Sequence, residues 1–202
     1  MKASADDANG PDLSDEELAE ACDVLSEWQA PEVFQAQVES FARFVRSSSL
    51  FNKPNAAFLR DAIPIADFTK FRAVESVRLV KQNEGRNDGK FKTAGKILDI
   101  EVTEVLQPGR RRGDEYREGK ATLIHLEEFD PNQGENIANE LQAAIQRKAN
   151  KRYVTRPLLL LYLNISTSGR LGNEVETAII KSKIEYADNF HEVCVLWGKK
   201  LY

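Results

Sequence analysis

One stretch of the sequence combines the pattern of a β-strand with a row of oxygen-bearing side chains. In KILDIEVTEV, residues 96–105, the carboxylates of Asp99 and Glu101 and the hydroxyl of Thr103 occupy alternate positions. Side chains two residues apart on a strand point to the same face, so these residues predict one polar face opposite an apolar one. Clustered hard oxygen atoms are the ligands that Mg²⁺ and Mn²⁺ prefer. The stretch is therefore a candidate site for a divalent metal ion.

Two further charged residues fall where helical spacing predicts apolar contacts. Glu75 follows Phe71 at an interval of four residues, and Lys148 follows Ile145 at an interval of three. Burial of an unpaired charge is costly, so such residues need a partner of opposite charge, a metal ion or water. We expect both to meet the polar strand face at one place, where the lysine would neutralise a phosphate or support an activated water.

Each of these residues also has a structural interpretation. The strand is alternatively an outer strand whose polar face lies in solvent. Lys148 can extend its ammonium group from the edge of a helix to water, and Glu75 can pair with Arg72 or Arg78 on its own helix turn. Their joint occurrence favours the site.

The elements that must position these residues alternate between helices and strands. The unbroken apolar run PLLLLYL, residues 157–163, is typical of a strand that is buried on both faces. After Pro64 the predicted order is α-β-β-β-α-β-α-β, which indicates an α/β fold with a mixed β-sheet flanked by helices. Helices are predicted over residues 66–81, 135–153 and 174–189, and strands over residues 91–93, 97–106, 121–126, 157–163 and 192–198.

The N-terminal part of the chain has a different pattern. Residues 1–13 are predicted to be a disordered acidic leader, residues 14–64 a helical extension and residues 65–202 the α/β core. The capping-box pattern SDEE at residues 14–17 opens a first helix, and Pro31 suits the first turn of a second. These N-terminal helices are the predicted surface of a homodimer.

Composition and charge bound the class of protein. With 202 residues, 42% of them hydrophobic and 30% charged, the chain is typical of a globular protein with a sizeable core. Residues 1–27 contain nine acidic residues and one basic residue, Lys2. The rest of the chain therefore has 27 basic and 23 acidic residues, a net charge of +4, which is compatible with a polyanionic partner. No apolar run approaches the roughly 20 residues that span a bilayer. Only two cysteines, Cys22 and Cys194, indicate a reducing, cytoplasmic compartment.

In order and spacing the candidate residues resemble the restriction-endonuclease-like, or PD-(D/E)xK, nuclease superfamily, over about residues 66–198. The core of that superfamily has the order α-β-β-β-α-β and carries a helical Glu, then an Asp, then (D/E)xK on the next strand. Glu75 matches the helical acid, Asp88 in RNDGKF the aspartate, and Glu101-Val102-Thr103 the (D/E)xK triplet. Two segments are most similar to an uncharacterised bacterial subgroup: IEVTE at residues 100–104 and KANKRY at residues 148–153.

The resemblance implies Mg²⁺- or Mn²⁺-dependent hydrolysis of phosphodiester bonds in DNA or RNA. Asp88 and Glu101 would hold the ion, and Asp99 is a rival to Asp88 because it shares the strand face of Glu101. Thr103 replaces the motif lysine, so Lys148 would orient the attacking water, and Glu75 would reach a second ion or water. The alternative is a catalytically inactive module of the same fold that binds nucleic acid or a protein partner.

A basic loop follows the polar strand. In QPGRRRGDEYREGK, the side chains of Arg110, Arg111 and Arg112 are candidates to grip a phosphate backbone, or they are simply solvated. The sequence contains no GxGxxG, no Gly-Lys-Ser/Thr phosphate loop and no GxSxG, so nucleotide-binding and serine-hydrolase classes have no support.

Overall fold

The computed structural model describes residues 12–81, 83–106, 133–151, 153–165, 172–185 and 187–202. The chain divides into two compact units. The N-terminal unit comprises Met1–Ile97 with Arg112–Ala121, and the C-terminal unit comprises Leu98–Arg111 with Thr122–Tyr202. None of the described helices combines the length and the apolar character needed to cross a membrane.

Four helices open the N-terminal unit. They are α1 (Asp15–Leu25), α2 (Pro31–Arg43), α3 (Ser47–Asn52) and α4 (Phe58–Thr69), with a 3₁₀ turn at Pro54–Ala56. The predicted capping box is present, because the Ser14 hydroxyl accepts a hydrogen bond from the main chain of Glu17 and the Glu17 carboxylate accepts one from that of Ser14. Pro31 occupies the first turn of α2, as predicted. The homodimer through these helices stays a prediction.

The helix predicted over residues 66–81 is wrong in its bounds. Helix α4 ends at Thr69, and the strand β1 (Ser76–Leu79) follows it. Pro64 lies inside α4 rather than closing it, so the predicted boundary between residues 64 and 65 falls within a helix. The reason for the error is that a spacing of four residues is also a multiple of two. It therefore suits one face of a strand as well as one face of a helix.

Strand β1 pairs antiparallel with β2 (Gly89–Thr93). The register places Leu79 opposite Gly89. A Cβ atom on Gly89 would lie 2.7 Å from Cδ1 of Ile65 in α4 and 3.1 Å from the carbonyl oxygen of Arg78. Glycine is therefore required here for the close approach of β2 to α4.

We expect Gly89→Ala to lower the free energy of unfolding by about 1–3 kcal/mol, because the added methyl group overlaps a fully buried side chain. Urea denaturation followed by circular dichroism measures the change. Ile65→Val removes the overlapping Cδ1 atom, so it should restore part of the loss in the double variant. Gly85→Ala, where the nearest atom is 3.5 Å away, is the control and should change stability by less than about 0.5 kcal/mol. Equal denaturation midpoints for Gly89→Ala and the wild type would contradict the close approach.

The C-terminal unit contains a mixed sheet. Strand β3 (Lys96–Val105), which belongs to this unit from Leu98 onward, pairs parallel with β4 (Leu158–Leu163). Strand β4 pairs parallel with β5 (Glu192–Trp197), and β5 pairs antiparallel with β6 (Lys200–Leu201). The predicted α/β class with a mixed sheet is confirmed. The strand predicted over residues 121–126 lies outside the described residues.

The described part of the C-terminal unit also contains two helices, α5 (Gln133–Ala149) and α6 (Gly172–Glu185), and α6 is followed by a 3₁₀ turn at Ala187–Asn189. They pack against each other and bury one face of the sheet. Strand β4 contributes alternate residues to this core because side chains two apart share a face. The main residues of this hydrophobic core are Ile137, Leu141, Ile145, Leu159, Leu161, Leu163, Val175, Ile179, Val193 and Val195.

The parallel register decides where the polar face of β3 lies. Glu101 stands opposite Leu159, and Thr103 stands opposite Leu161. Cross-strand partners point to the same face of a sheet. The polar residues of β3 therefore lie on the face that carries the apolar core and its helices.

Candidate functional site

Glu101 is the one carboxylate residue that is fully buried among the described residues, with a side chain that is 1% exposed. Its position on β3 places it beside the core under α5. A carboxylate removed from water in this way is strongly destabilising unless other charges or hydrogen bonds compensate it. Its partners are therefore central to the site.

Two ammonium groups compensate Glu101. Nζ of Lys148 donates to Oε1 of Glu101 at 2.5 Å and to the carbonyl oxygen of Val102 at 2.8 Å. Nζ of Lys151 lies 3.2 Å from the same Oε1 atom. The side chain of Lys148 is 12% exposed and that of Lys151 is 56% exposed. Lys148 thus forms the buried ion pair, and Lys151 adds an outer contact that water screens.

The end of helix α5 positions both lysines. Lys148 follows Leu141 and Ile145 on the buried side of the helix, in its last turn. Lys151 lies just beyond the helix, and its main-chain N–H donates to the carbonyl oxygen of Lys148 at 2.9 Å. Positive charge is favourable at this end of a helix, where unpaired carbonyl groups carry partial negative charge. The C-terminal end of α5 therefore places both lysines near β3, and its partial negative charge stabilises their ammonium groups.

The second oxygen of the Glu101 carboxylate, Oε2, is buried and has no hydrogen-bond partner within the described residues. An unsatisfied buried acceptor costs about 1–3 kcal/mol, and more when it is charged. Oε1 of Glu101 and the carbonyl of Val102 both lie within hydrogen-bonding distance of one nitrogen atom. Two oxygen atoms thus converge on the ammonium group of Lys148. A third oxygen atom, Oε2 of Glu101, has no partner within the described residues.

The other polar residues of this strand face have different surroundings. Oδ2 of Asp99 accepts a hydrogen bond from Oγ1 of Thr155 at 2.5 Å, which ties β3 to the segment between α5 and β4. Thr103 is partly buried opposite Leu161. Its hydroxyl cannot replace the charge of a lysine, so the positive charge on this face comes from Lys148 and Lys151.

Glu75 belongs to the N-terminal unit and is not helical, which corrects the prediction of a helical acid. It directly precedes β1, and its Oε1 atom accepts a hydrogen bond from the main-chain N–H of Gly95 at 3.3 Å. Its own N–H donates to the carbonyl oxygen of Lys92 at 2.8 Å. The pairing of β1 with β2 therefore determines where this side chain lies.

Asp88 also belongs to the N-terminal unit. It directly precedes β2 and lines a cavity of about 610 Å³ together with Asp61, Asn87 and Cys22. Burial raises the pKa of the Cys22 thiol, so this cysteine remains protonated at neutral pH. A protonated thiol is a poor nucleophile and a poor metal ligand, so the cavity has no reactive sulfur.

Arg110, Arg111 and Arg112 lie outside the described residues. Within the described ranges, no three His, Cys, Asp or Glu side chains form a group that could hold a metal ion. No family model, curated protein or solved structure matches the chain. Any assignment of function therefore depends on the residues and their geometry.

Lys151 contacts Glu101, but the sequence patterns did not identify it as a candidate site residue. It follows Lys148 by three residues in KANKRY, an interval that places two side chains on the same side of a helix. That spacing could have indicated a pair of cations. Its significance depended on knowing which carboxylate the pair would meet.

Proposed function

We propose that the protein is a metal-dependent nuclease that hydrolyses phosphodiester bonds in DNA or RNA. The observation that carries this proposal is the contact of Lys148 with Glu101 and with the carbonyl of Val102. Thr103 leaves the strand without the lysine of the (D/E)xK pattern, and Lys148 supplies that ammonium group from α5. Among the described elements, the order α4, β1, β2, β3, α5, β4 agrees with the α-β-β-β-α-β order of the superfamily.

A Mg²⁺ or Mn²⁺ ion fits the oxygen donors of this site. The carboxylate of Glu101, with its unsatisfied Oε2, and the carbonyl of Val102 are two ligands that β3 offers. Asp99, on the same strand face as Glu101, is the candidate for a second carboxylate. Mg²⁺ in proteins commonly uses one or two carboxylates and completes its shell with water and substrate phosphates, so a group of three acidic side chains is not required. A bound ion would polarise the phosphate and lower the pKa of an attacking water.

The two lysines favour a phosphate as the substrate group. Lys148 and Lys151 bring two positive charges to a single carboxylate, and within the described residues neither contacts a second one. The exposed ammonium group of Lys151 is available to an anion. Lys151 can turn toward a phosphate oxygen at little cost, because an exposed ion pair contributes at most about 1 kcal/mol. Lys148 meanwhile holds the Glu101 side chain.

Metal binding and cleavage test the proposal together. We expect calorimetry to detect Mn²⁺ binding to the wild type, and plasmid and RNA substrates to be cleaved when Mn²⁺ or Mg²⁺ is present. Glu101→Gln should lose cleavage and should bind Mn²⁺ at least about 10-fold more weakly than the wild type. Glu104→Gln is the matched control, because Glu104 lies on the opposite face of β3 and accepts a hydrogen bond from Asn164 at 2.9 Å. A wild type that neither binds metal nor cleaves would contradict the nuclease, and cleavage by Glu101→Gln at the wild-type rate would exclude this site.

One observation favours a second candidate, an inactive module of the same fold that binds nucleic acid. Lys148 already bonds two of the oxygen atoms that an ion would use. An ammonium group in that position can stabilise the fold without any metal. For such a module we expect nucleic acid to bind with the same affinity in chelator and in Mn²⁺, and to remain intact.

A further inference from the structure

Trp28 lies beside strand β1 in the N-terminal unit, on the segment between α1 and α2. The next residue, Gln29, exchanges two main-chain hydrogen bonds with Val77 of β1, at 3.1 and 2.9 Å. This bridge holds the main chain of Trp28 against the strand. The indole ring is only partly buried, so part of its surface is open to solvent.

Three cationic side chains share the outer face of the β1–β2 ladder. The antiparallel register places Arg78 directly opposite Lys90, and Lys92 lies two residues further along β2. The alternating residues Val77 and Phe91 are buried, so the cations point to the opposite face. Arg78, Lys90 and Lys92 therefore bring three positive charges to one face of the ladder.

The ring of Trp28 contacts two of these cations. Nζ of Lys92 lies 4.4 Å from the ring centroid, and Cζ of Arg78 lies 5.5 Å from it. Arg78 also donates to Oε2 of Glu84 at 2.8 Å, which compensates its charge. Lys92 contacts the aromatic ring and, among the described residues, no carboxylate. Its ammonium group therefore retains the capacity to bind an anion.

We propose that Trp28, Lys90 and Lys92 form a basic face that binds single-stranded nucleic acid. Sites for unpaired strands combine cations that follow the phosphate backbone with an aromatic ring on which a base stacks. Lys90 and Lys92 are about 7 Å apart along β2, so they can contact neighbouring phosphates of one strand, while Trp28 stacks with a base. Bases within a duplex are stacked on each other and cannot reach the ring. This inference concerns residues other than the Glu101 site and needs neither a metal ion nor cleavage.

Tryptophan fluorescence tests the stacking directly. A single-stranded oligonucleotide of about 12 nucleotides is titrated into the full chain in the presence of a chelator. We expect binding to quench the emission. The chain has two tryptophans, so Trp197→Phe should keep the quenching and Trp28→Phe should lose it. Trp28→Ala should weaken binding about 5- to 150-fold, the range found when a stacking aromatic side chain is removed.

The salt dependence of binding tests the phosphate contacts without altering the tryptophan. Lys92→Gln should reduce the slope of log K against log[salt] by about 0.7, the value for one contact with a single strand. Lys199→Gln, a change of an exposed lysine on the turn between β5 and β6, should leave the slope unchanged. A duplex of the same sequence should bind more weakly and cause no quenching.

Three results would overturn the basic face. The first is an unchanged affinity for the oligonucleotide in both Trp28→Ala and Lys92→Gln. The second is that the wild type does not bind the oligonucleotide. The third is that the wild type binds polyglutamate as tightly as the oligonucleotide, without quenching. The chelator separates this inference from the proposed nuclease. Glu101→Gln should abolish cleavage and leave the quenching intact, whereas loss of quenching in Trp28→Phe says nothing against metal-dependent cleavage.

Discussion

Lys148→Met is expected to lower the free energy of unfolding by about 3–5 kcal/mol, because it leaves the buried carboxylate of Glu101 without its main partner. The remaining contact, with Lys151, is longer and largely exposed to solvent. Methionine keeps most of the volume of the lysine side chain, so the loss reports the missing charge rather than a cavity. Urea denaturation of the two proteins measures the difference. Under the proposed function, the same variant should lose cleavage.

Lys151→Met is the matched control for that experiment. It removes an ammonium group from the same Oε1 atom, but one whose side chain is 56% exposed, so the expected change in stability is below about 1 kcal/mol. Lys148→Arg keeps the positive charge but lacks the compact ammonium group that bonds both Glu101 and Val102. Its stability should therefore lie between that of Lys148→Met and that of the wild type. If Lys151→Met is the more destabilising variant, or Lys148→Met is as stable as the wild type, the described ion pair is contradicted.

The double variant Glu101→Leu/Lys148→Met is expected to regain most of the stability that each single variant loses. Either single change leaves one buried charge alone, at a cost of about 3–5 kcal/mol, whereas apolar residues at both positions leave none. Replacement of a buried pair by apolar side chains is often neutral, and sometimes stabilising by about 1–4 kcal/mol. A double-mutant cycle should therefore give a coupling energy of several kcal/mol. The double variant should still bind no Mn²⁺ and cleave no substrate.

This cycle separates the structural role of the pair from its proposed chemical role. Glu176 and Lys200 provide the matched control, since their 3.1 Å contact is exposed and its coupling energy should be below about 1 kcal/mol. Additive losses in the Glu101 and Lys148 variants would show that the two side chains do not interact. Cleavage by the stable double variant would show that the chemistry lies elsewhere in the chain.

Local patterns in the sequence were sufficient to predict the elements with a clear period. The capping box before α1, Pro31 at the start of α2 and the apolar run in β4 each specify an element through contacts within a few residues. The alternation in KILDIEVTEV likewise predicted β3 and its two faces. Residues 70–81 were assigned incorrectly to a helix because their spacing suits both periods. There, antiparallel pairing with β2 and the bridge to Gln29 decide in favour of a strand.

By itself the sequence determined that Asp99, Glu101 and Thr103 share one strand face and that Lys148 lies on the apolar side of its helix. Only the tertiary structure decided that Lys148, 47 residues after Glu101, meets that carboxylate and the carbonyl of Val102. It also decided that Trp28 lies against Lys92 of the β1–β2 ladder. The physical reason is that residue periods specify which side of an element a residue occupies. The partner on that side depends on strand register and helix packing between segments that are distant in the chain.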